Sequence, residues 1–548
     1  LAALATASVQ DDAFISFRYA RNLQQGHGLV FNAGERVEGY TNFLWTWLMA
    51  IPERQGWSAP AFSILVTLAL LAVTVPVAHR LARLVFDDDR LALLATAALV
   101  ANMSFVGYGT GGLETMLQTL LVTAVAVLLL PSAVPAGAPE APEADAPLRV
   151  LPLLAAGFLG ALACLTRLDS SVLVGTWFVI AVIVAWRRHS VARALSTAVL
   201  LGVPLAAVIV PWLVWKYDYY GDILPNTLTA KSGGFVVPFL YGVFYLLAFF
   251  ASYFAFLLIG RFRKRRSEFF ANPTARVAAV PVLVWFLYTC VVGADFMEYR
   301  FMVPIIPILV VLAAFLLDRF VNVRSQVLLC GVLLFASGLH MIVPNTIPYP
   351  VLVFKELNHW PTESKTAWKG IGDLLHREFP GGETAPGQPV IAVQPLGVIG
   401  YYSDLPTVDM LGLADREIAR DGLLIPIYYP GHVRMATVPQ LLDKKVNLVI
   451  GLPTYGDVDP SRRSMRLSEL AALYSTADLK QLPKDASVLE VPLTPEKVMF
   501  VIELRPNAKV DALVERGAWT RIPIERTCKD SDLNVLTRVL AEKTCDGL

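Results

Sequence analysis

Long apolar stretches separated by short polar segments dominate the first 343 residues. A transmembrane helix needs about 20 predominantly apolar residues. Ten stretches approach this length, near residues 58–79, 91–108, 113–130, 150–166, 170–186, 194–215, 236–260, 275–292, 301–317 and 326–343. An apolar stub at 1–7 is expected to be the end of one more helix. The pattern therefore predicts a polytopic α-helical membrane protein with about 11 transmembrane helices, the first largely missing here.

The remaining residues, 344–548, have the polarity of an ordinary water-exposed domain. Strand-like runs alternate there with helical patterns: strands are predicted at 389–399, 446–451 and 498–504, and helices at 364–378 and 466–474. This alternation predicts one α/β domain. We thus divide the chain into a transmembrane region, 1–343, whose first loop is 8–57, and a C-terminal domain, 344–548. The Pro-, Ala- and acid-rich segment 131–149 is interpreted as a disordered linker.

Composition agrees with a membrane protein and argues against a nucleic-acid-binding protein. Hydrophobic residues make up 55% of the 548 and charged residues 17%, and the mean hydropathy is +0.55, whereas soluble domains carry about 25% charged residues. The formal net charge is only +1. Because nucleic-acid binding requires a basic footprint that neutralises phosphates, we expect no nucleic-acid partner.

Basic residues predict the orientation in the membrane. Short cytoplasmic loops are enriched in Lys and Arg. Such clusters occur at 261–266, at Arg187, Arg188 and Arg193, and at Arg80, Arg83 and Arg90. Counting spans from these loops places the first loop and the C-terminal domain together on the extracytoplasmic side of the cell (inner) membrane.

The first loop carries most of the candidate chemistry. It reads DDAFISFRYARNLQQGHGLVFNAGERVEGYTNFLW from residue 11, and gathers acidic, basic and aromatic side chains beside the membrane. A helix from Ser8 to about Gln25 is predicted to place four residues on one face, namely Asp11, Ile15, Arg18 and Asn22. Asp11 and Asp12 have two interpretations at this stage. They cap a helix and complement its dipole, or they take part in catalysis.

This segment resembles the first extracytoplasmic loop of polyprenyl-phosphate-sugar glycosyltransferases of the GT-C superfamily. More narrowly, it resembles the mycobacterial terminal β-(1→2)-arabinofuranosyltransferases. Later motifs of that family are similar to YGDILPNTLTAK at 220–231, GADFMEYRFMVPIIP at 293–307 and IGYYSDLPTVDMLGLADREIA at 399–419. The resemblance implies a GT-C membrane fold with an extracytoplasmic α/β domain that holds or guides a polysaccharide acceptor.

The resemblance also implies a reaction. The expected donor is decaprenyl-phosphoryl-arabinofuranose, dissolved in membrane lipid, and the expected acceptor is the arabinan of arabinogalactan or lipoarabinomannan. If donor and product are both β, configuration is retained. Two routes then stay open: Asp11 acts as nucleophile with Asp12 assisting, or the phosphate assists attack from its own face.

Such a transfer needs a carboxylate for the acceptor hydroxyl and cations for the departing phosphate. By resemblance Asp11 is the first catalytic candidate and Asp12 the second, and a divalent cation held by this pair is the one cofactor considered. The predicted phosphate ligands are Arg18, His27, Arg167, Asn226, Lys231 and Arg300. The predicted sugar ligands are Glu38, Tyr40, Glu114, Asp295, Tyr401, Tyr402 and Asp409.

Structural and functional alternatives accompany these assignments. Arg167 fits a helical hairpin whose arginine reaches the membrane surface, and Asp295, Glu298 and Arg300 fit a structural ion network. Cys528 and Cys545 are predicted to pair in an oxidising compartment. The competing functions are transfer of another lipid-linked sugar such as mannose, lipid-glycan transport, and wall binding without catalysis.

Overall fold

The computed structural model describes residues 9–86, 88–133, 148–231, 233–254, 272–317, 331, 352, 357, 364–425, 428–474 and 478–529. The helices of the membrane region are α1 (Asp11–Gln24), α2 (Phe43–Gln55), α3 (Ala59–Val85), α4 (Asp89–Ala101), α5 (Met103–Gly107), α6 (Thr115–Ala133), α7 (Val150–Thr166), α8 (Ser170–Arg188), α9 (Val191–Tyr220), α10 (Asn226–Ala230), α11 (Val236–Phe254), α12 (Pro273–Val292) and α13 (Ile306–Leu317). A 3₁₀ helix at Arg300–Ile305 leads into α13.

Within the described residues, six helices are long and apolar enough to cross a membrane: α3, α6, α8, α9, α11 and α12. Helix α7 and the segment Arg300–Phe315 are shorter apolar helices. Buried threonine hydroxyls on these helices donate to carbonyls one turn earlier, as at Thr67, Thr119 and Thr123. Because the bilayer core supplies no water, this internal bonding makes a polar side chain compatible with a spanning helix.

The predicted span at 91–108 is wrong in one respect, because it is two helices. Asn102 adopts an extended conformation between α4 and α5, and its side chain accepts a hydrogen bond from the backbone N–H of Phe105. The extended backbone of Asn102 ends α4, and its side chain caps the start of α5. The predicted stub at 1–7 lies outside the described residues, as do residues 134–147 of the linker predicted at 131–149 and nearly all of the predicted span at 326–343. The first residues of that linker belong to α6, which ends at Ala133.

The C-terminal region combines helices with a mixed seven-stranded sheet. Its helices are α14 (Trp368–Glu378), α15 (Leu396–Ser403), α16 (Arg416–Asp421), α17 (Val438–Asp443), α18 (Leu467–Tyr474) and α19 (Ala508–Glu515), with a 3₁₀ turn at Leu479–Gln481. Its strands are β1 (Ile391–Val393), β2 (Thr407–Asp409), β3 (Leu423–Leu424), β4 (Arg434–Met435), β5 (Leu448–Asp457), β6 (Met465–Arg466), β7 (Ser487–Pro492), β8 (Lys497–Glu503) and β9 (Thr520–Glu525). The boundary predicted at 343/344 lies outside the described residues.

The sheet has the order β2-β1-β5-β8-β7-β9-β6, and β3 pairs with β4 separately. Strand β1 runs parallel to β2 and β5, with Ile391 opposite Thr407 and Leu448. The pairs β5–β8, β7–β8 and β7–β9 are antiparallel. Strands β5 and β8 and helices α14 and α18 correspond to sequence predictions. The strand predicted at 389–399 ends at Val393, because the chain turns there and α15 begins at Leu396.

Helix α1 joins the two regions. Its Phe14 and Phe17 are buried, and the Phe14 ring lies 5.5 Å from that of Tyr401 on α15, measured between centroids. One continuous hydrophobic cluster includes these residues together with the interior of the membrane helices and one face of the sheet. A second cluster fills the other face of the sheet. The apolar packing around α1 therefore fixes the α/β region directly above the membrane helices.

Candidate active site

A cavity of about 670 Å³ lies where the first turns of α6 and α8, the end of α12 and the short helix α10 meet. This volume is typical of small-molecule sites. The polar and charged side chains that line it include Asp12, Ser16, Tyr40, Asn42, Glu114, Arg167, Asp169, Lys231, Asp295 and Arg300. Apolar side chains, including Leu228, Val291 and Val292, complete the wall.

Helix α1 presents one face to this cavity and another to the α/β region. Successive residues of an α-helix are rotated by about 100°, so neighbours point in different directions. Asp12, Ile15 and Ser16 line the cavity. Asp11 bonds instead to α15, and Arg18 to Glu383. The predicted common face is thus confirmed for Asp11, Arg18 and Asn22, which also donates to Glu383, whereas Ile15 faces the cavity.

Arg300 connects two carboxylates at the cavity wall. Its Nε lies 2.6 Å from Asp295 Oδ2, and its Nη1 lies 3.6 Å from Asp12 Oδ2. The Asp12 side chain keeps 28% exposure, compared with 6% for Asp295. Of the predicted local network, Asp295 and Arg300 pair, while Glu298 is fully buried with the Ser104 hydroxyl 3.3 Å from its Oε1. Asp12 is therefore a carboxylate that a ligand can reach.

Arg167 is held by two acids that immediately precede different helices, Glu114 before α6 and Asp169 before α8. It lies 2.8 Å from Glu114 and 2.7 Å from Asp169. Glu114 also accepts a hydrogen bond from the amide of Asn42, at 2.8 Å, and Ser16 donates to Asn42. Charged partners therefore neutralise the Arg167 guanidinium, and it braces the cavity wall. Sequence reasoning missed Asn42 and Ser16, because neither stands in a pattern that distinguishes it from other polar loop residues.

Lys231 has different surroundings. It follows α10, lines the cavity and is exposed there, and among the described residues no carboxylate lies within salt-bridge distance of its ammonium. Gly431 approaches it closely, since a Cβ on that glycine would lie 3.8 Å from Lys231 Nζ. Desolvation in the cavity wall lowers the Lys231 pKa, and the negative charge of Asp12 opposes this shift. Lys231 is thus a cation open to an anionic ligand.

Asp11, the first catalytic candidate by resemblance, does not line the cavity. Its carboxylate accepts hydrogen bonds from the backbone N–H groups of Gly397, at 3.2 Å, and Val398, at 2.8 Å. These two amides stand in the first turn of α15. Burial raises the Asp11 pKa to about 7, although both hydrogen bonds oppose the shift. The capping alternative concerned the helix that Asp11 begins, and no side chain caps α1; the Asp11 carboxylate instead accepts from the first turn of α15, 386 residues away.

Arg18 also faces the α/β region, contrary to its predicted role as a phosphate ligand. Its side chain is 1% exposed and lies 3.0 Å from Glu383. It also donates to the carbonyls of Phe31, Gly400 and Leu405. A guanidinium with these partners has no donor directed toward the cavity. It stabilises the contact between the two regions.

Other predicted ligands also lie outside the cavity wall. Asn226 donates to the Gly412 carbonyl at 2.7 Å, and Glu38 forms a buried 2.7 Å pair with Lys216. His27 lies just beyond the end of α1, where its backbone N–H donates to Asn22. Tyr401, Tyr402 and Asp409 belong to the contact between regions: Tyr401 donates to Glu53 at 2.6 Å, Tyr402 packs on Phe14, and Asp409 accepts from the N–H groups of Leu411 and Ala414. Their predicted contacts with phosphate or sugar are not supported by these positions.

The α/β region nevertheless contributes to the cavity. Leu413, Tyr428 and Gly431 line it. The Tyr428 hydroxyl donates to the Gly293 carbonyl at 3.2 Å, and its ring packs against Tyr241 of α11. Sequence reasoning missed Tyr428, because its importance depends on a contact across 135 residues.

The predicted cation shared by Asp11 and Asp12 does not fit this arrangement. The two carboxylates point in different directions, and both oxygens of Asp11 accept backbone N–H groups. Across the described part of the chain, no three His, Cys, Asp or Glu side chains are grouped so that they could hold a metal ion. Cys528 is disulfide-bonded, and its predicted partner Cys545 lies outside the described residues.

Comparisons with known proteins agree with the resemblance. The chain is 28% identical over 247 residues to the terminal beta-(1->2)-arabinofuranosyltransferase of Corynebacterium glutamicum, covering 41% of this chain and 33% of the relative. The enzyme of the same name from Mycobacterium tuberculosis is 29% identical over 240 residues, or 41% and 35% of the two chains. The chain thus spans about a third of the length of the curated relatives that it matches. A family model described as "Domain of unknown function (DUF8728)" matches residues 359–491.

Solved structures confirm the predicted fold class. ArnT from Cupriavidus metallidurans in the apo state superimposes with a TM-score of 0.51 at 17% identity, covering 91% of this chain and 95% of ArnT. The structure of ArnT bound to undecaprenyl phosphate gives a TM-score of 0.50 at 16% identity, with the same coverage. The chain therefore has the GT-C fold, a multi-pass helical membrane region followed by an α/β domain.

Proposed function

We propose that this protein is a membrane glycosyltransferase that moves arabinofuranose from decaprenyl-phosphoryl-arabinofuranose onto cell-wall arabinan, forming terminal β-(1→2) linkages. The observation that carries the proposal is the cavity in which an accessible carboxylate, Asp12, lies near an ammonium that is open to an anion, Lys231. The similarity to terminal arabinofuranosyltransferases supports the choice of sugar. Arabinogalactan and lipoarabinomannan are the proposed acceptors.

The donor fits the wall of the cavity chemically. A polyprenyl-phosphoryl sugar combines an apolar chain, one anionic phosphate and a polar sugar. Leu228, Val291 and Val292 line the cavity and are themselves 51%, 45% and 38% exposed, so an apolar chain leaving the cavity would meet lipid there. Lys231 then contacts the phosphate, with Arg300 nearby. The crystal structure of ArnT with undecaprenyl phosphate supports a lipid-linked donor for this fold.

Asp12 is the proposed catalytic residue. In the simplest step it accepts the proton of the acceptor hydroxyl while the acceptor oxygen bonds to the anomeric carbon. The bond from that carbon to the phosphate oxygen breaks, and its electron pair remains on the phosphate. Lys231 stabilises the charge that develops there. Arg300 Nη1 lies 3.6 Å from Asp12 Oδ2 and helps to hold that carboxylate at the cavity wall.

The stereochemistry of the product tests this role. A single displacement inverts the anomeric carbon, whereas two displacements through a covalent intermediate retain its configuration. If a β donor gives a β product, either Asp12 is the nucleophile of the first of two displacements, since Asp11 does not face the cavity, or the phosphate assists attack from its own face. NMR of the disaccharide linkage distinguishes the two outcomes.

The proposed side of the membrane follows from the ends of α8. Asp169, at its start, lines the cavity, while Arg187 and Arg188 stand in its last turn. Since basic residues mark cytoplasmic ends, the cavity is assigned to the extracytoplasmic side. Cysteines introduced at Ser461 and at His189 test this: an impermeant thiol reagent should label the first and not the second in intact cells. The opposite result would reverse the assignment.

The transfer assay uses purified protein, radiolabelled polyprenyl-phosphoryl sugars and a synthetic arabinan oligosaccharide. Decaprenyl-phosphoryl-arabinofuranose should be consumed at least about 10-fold faster than the mannosyl donor, since polar pocket contacts discriminate sugars strongly. Preference for the mannosyl donor would show that the protein is a glycosyltransferase but that arabinofuranose is not its sugar. Movement of donor across vesicle membranes without sugar transfer would indicate a transporter instead.

A further inference from the structure

The first turn of α1 carries two neighbouring acids with different partners. Asp12 opens to the cavity, and the half-buried Asp11 accepts hydrogen bonds from the first turn of α15. We infer that Asp11 is a positioning residue, through which the α/β domain holds Asp12 in its orientation toward the cavity. The inference rests on the proposed function, because it assigns to Asp11 an indirect part in the same reaction.

The sheet topology explains why Asp11 binds at this position. Strands β1 and β2 are parallel, and ligands of α/β sheets bind at the carboxyl ends of parallel strands. Helix α15 begins there, two residues after β1, and its N-terminal N–H groups favour a negative charge. In this protein the carboxylate of Asp11 occupies that position. Gly39, also from the first loop, packs against Ala414 just after β2.

This contact controls the rotation of α1 at its first turn. Because Asp12 follows Asp11 by one residue, a rotation that displaces Asp11 from α15 displaces Asp12 in the cavity by a similar angle. Arg18 and Asn22 hold later turns of the helix through Glu383. Asp11 is the anchor adjacent to the catalytic candidate, and it contacts neither the cavity nor any proposed ligand.

The contact can be broken from either side. Asp11→Asn removes the charge and places an amide N–H₂ against backbone donors. Gly397→Ala changes only the α/β domain, and its methyl group would overlap the backbone carbonyl of Asp11. Gly202→Ala on α9 is a matched control, because a Cβ there has no neighbour within 4 Å. None of these residues lines the cavity.

The experiment measures kcat, donor KM and amide hydrogen exchange for wild type, both single variants and the double variant. Each single variant should lower kcat about 10-fold with donor KM within about twofold, and the double variant should be no slower than the slower single variant, since one contact is lost. Exchange at Gly397 and Val398 should accelerate. Gly202→Ala should match wild type.

Other results overturn the inference. If Asp11→Asn abolishes turnover while Gly397→Ala retains it, Asp11 acts on substrate itself. If the losses in kcat multiply in the double variant, or if kcat is unchanged in both single variants, the contact between Asp11 and the α/β domain does not set the orientation of Asp12. A wild-type protein that transfers no polyprenyl-phosphoryl sugar refutes the proposed function, and the exchange measurement still decides whether the Asp11 contact exists.

Discussion

The two faces of α1 carry similar side chains in different surroundings. On the face toward the α/β domain, Asp11 is half-buried and Arg18 is buried, and their partners are backbone groups and Glu383. On the cavity face, Asp12 keeps 28% exposure beside Arg300 at 3.6 Å. Polar groups whose partners are complete stabilise a structure, while those with accessible atoms can bind a ligand. The two faces therefore differ in whether their polar side chains have atoms accessible to a ligand. Substitutions on each face can test this difference.

The largest effect is expected on the buried face. Glu383→Ala leaves the Arg18 guanidinium without its charged partner, and removing one member of a buried pair typically costs about 3 to 5 kcal/mol. The free energy of unfolding in detergent should fall accordingly. Asp457→Ala is the control, since it removes an exposed pair with Lys497, and solvent-exposed ion pairs contribute little to stability. Equal losses in the two variants would contradict the comparison.

On the cavity face the same kind of change should act on turnover. Asp12→Asn keeps the size of the side chain but removes the proton acceptor, so kcat should drop by about 10² or more. The unfolding temperature should stay close to that of wild type, because Asp12 is partly exposed and its nearest charged neighbour is 3.6 Å away. Near-normal transfer by Asp12→Asn, with chemistry limiting the rate, would remove it from the proposed mechanism.

A smaller effect is expected at Lys231. Hydrogen bonds to charged groups contribute about 1.5 to 3 kcal/mol, so Lys231→Met should lower kcat/KM for the donor by about 10- to 100-fold. Lys231→Arg should recover part of the loss, because it restores the charge in a different geometry. Steady-state kinetics with varied donor concentration provide the measurement. If Lys231→Met binds and uses the donor normally, the phosphate lies elsewhere in the cavity.

The smallest effect concerns pH. Burial raises the Asp11 pKa to about 7 and the Asp409 pKa to about 6. The folded state therefore binds protons more tightly than the unfolded chain, so these groups lose stabilisation as pH rises from about 4 to 7 and contribute a constant amount above that range.

The test compares Tm between pH 5 and pH 8 in wild type and Asp11→Asn. The variant should lose the Asp11 part of the decrease, a difference of about a few degrees. A variant whose Tm falls as steeply as that of wild type would show that Asp11 does not titrate in this range.

Periodicity and composition were sufficient for the fold class and for part of the site. Stretches of about 20 apolar residues identify spans because the bilayer imposes that length, and the α1 helix, β5, β8, α14 and α18 follow from local patterns. Asp12, Arg167, Lys231 and Arg300 were candidates through the family resemblance and because the implied transfer needs a carboxylate and cations beside the membrane. These features depend on residues near one another in the chain.

Tertiary contacts decided the rest. Sequence placed Asp11 ahead of Asp12, but only the packing of α15 against α1, across 386 residues, shows which acid bonds to α15 and which lines the cavity. The same holds for Tyr401, whose hydroxyl meets Glu53, and for Tyr428, which reaches Gly293. The sequence by itself determined which chemical groups stand beside the membrane. The three-dimensional structure decided which of them are satisfied by the protein and which remain open to a substrate, because burial and hydrogen-bond completion depend on partners distant in the chain.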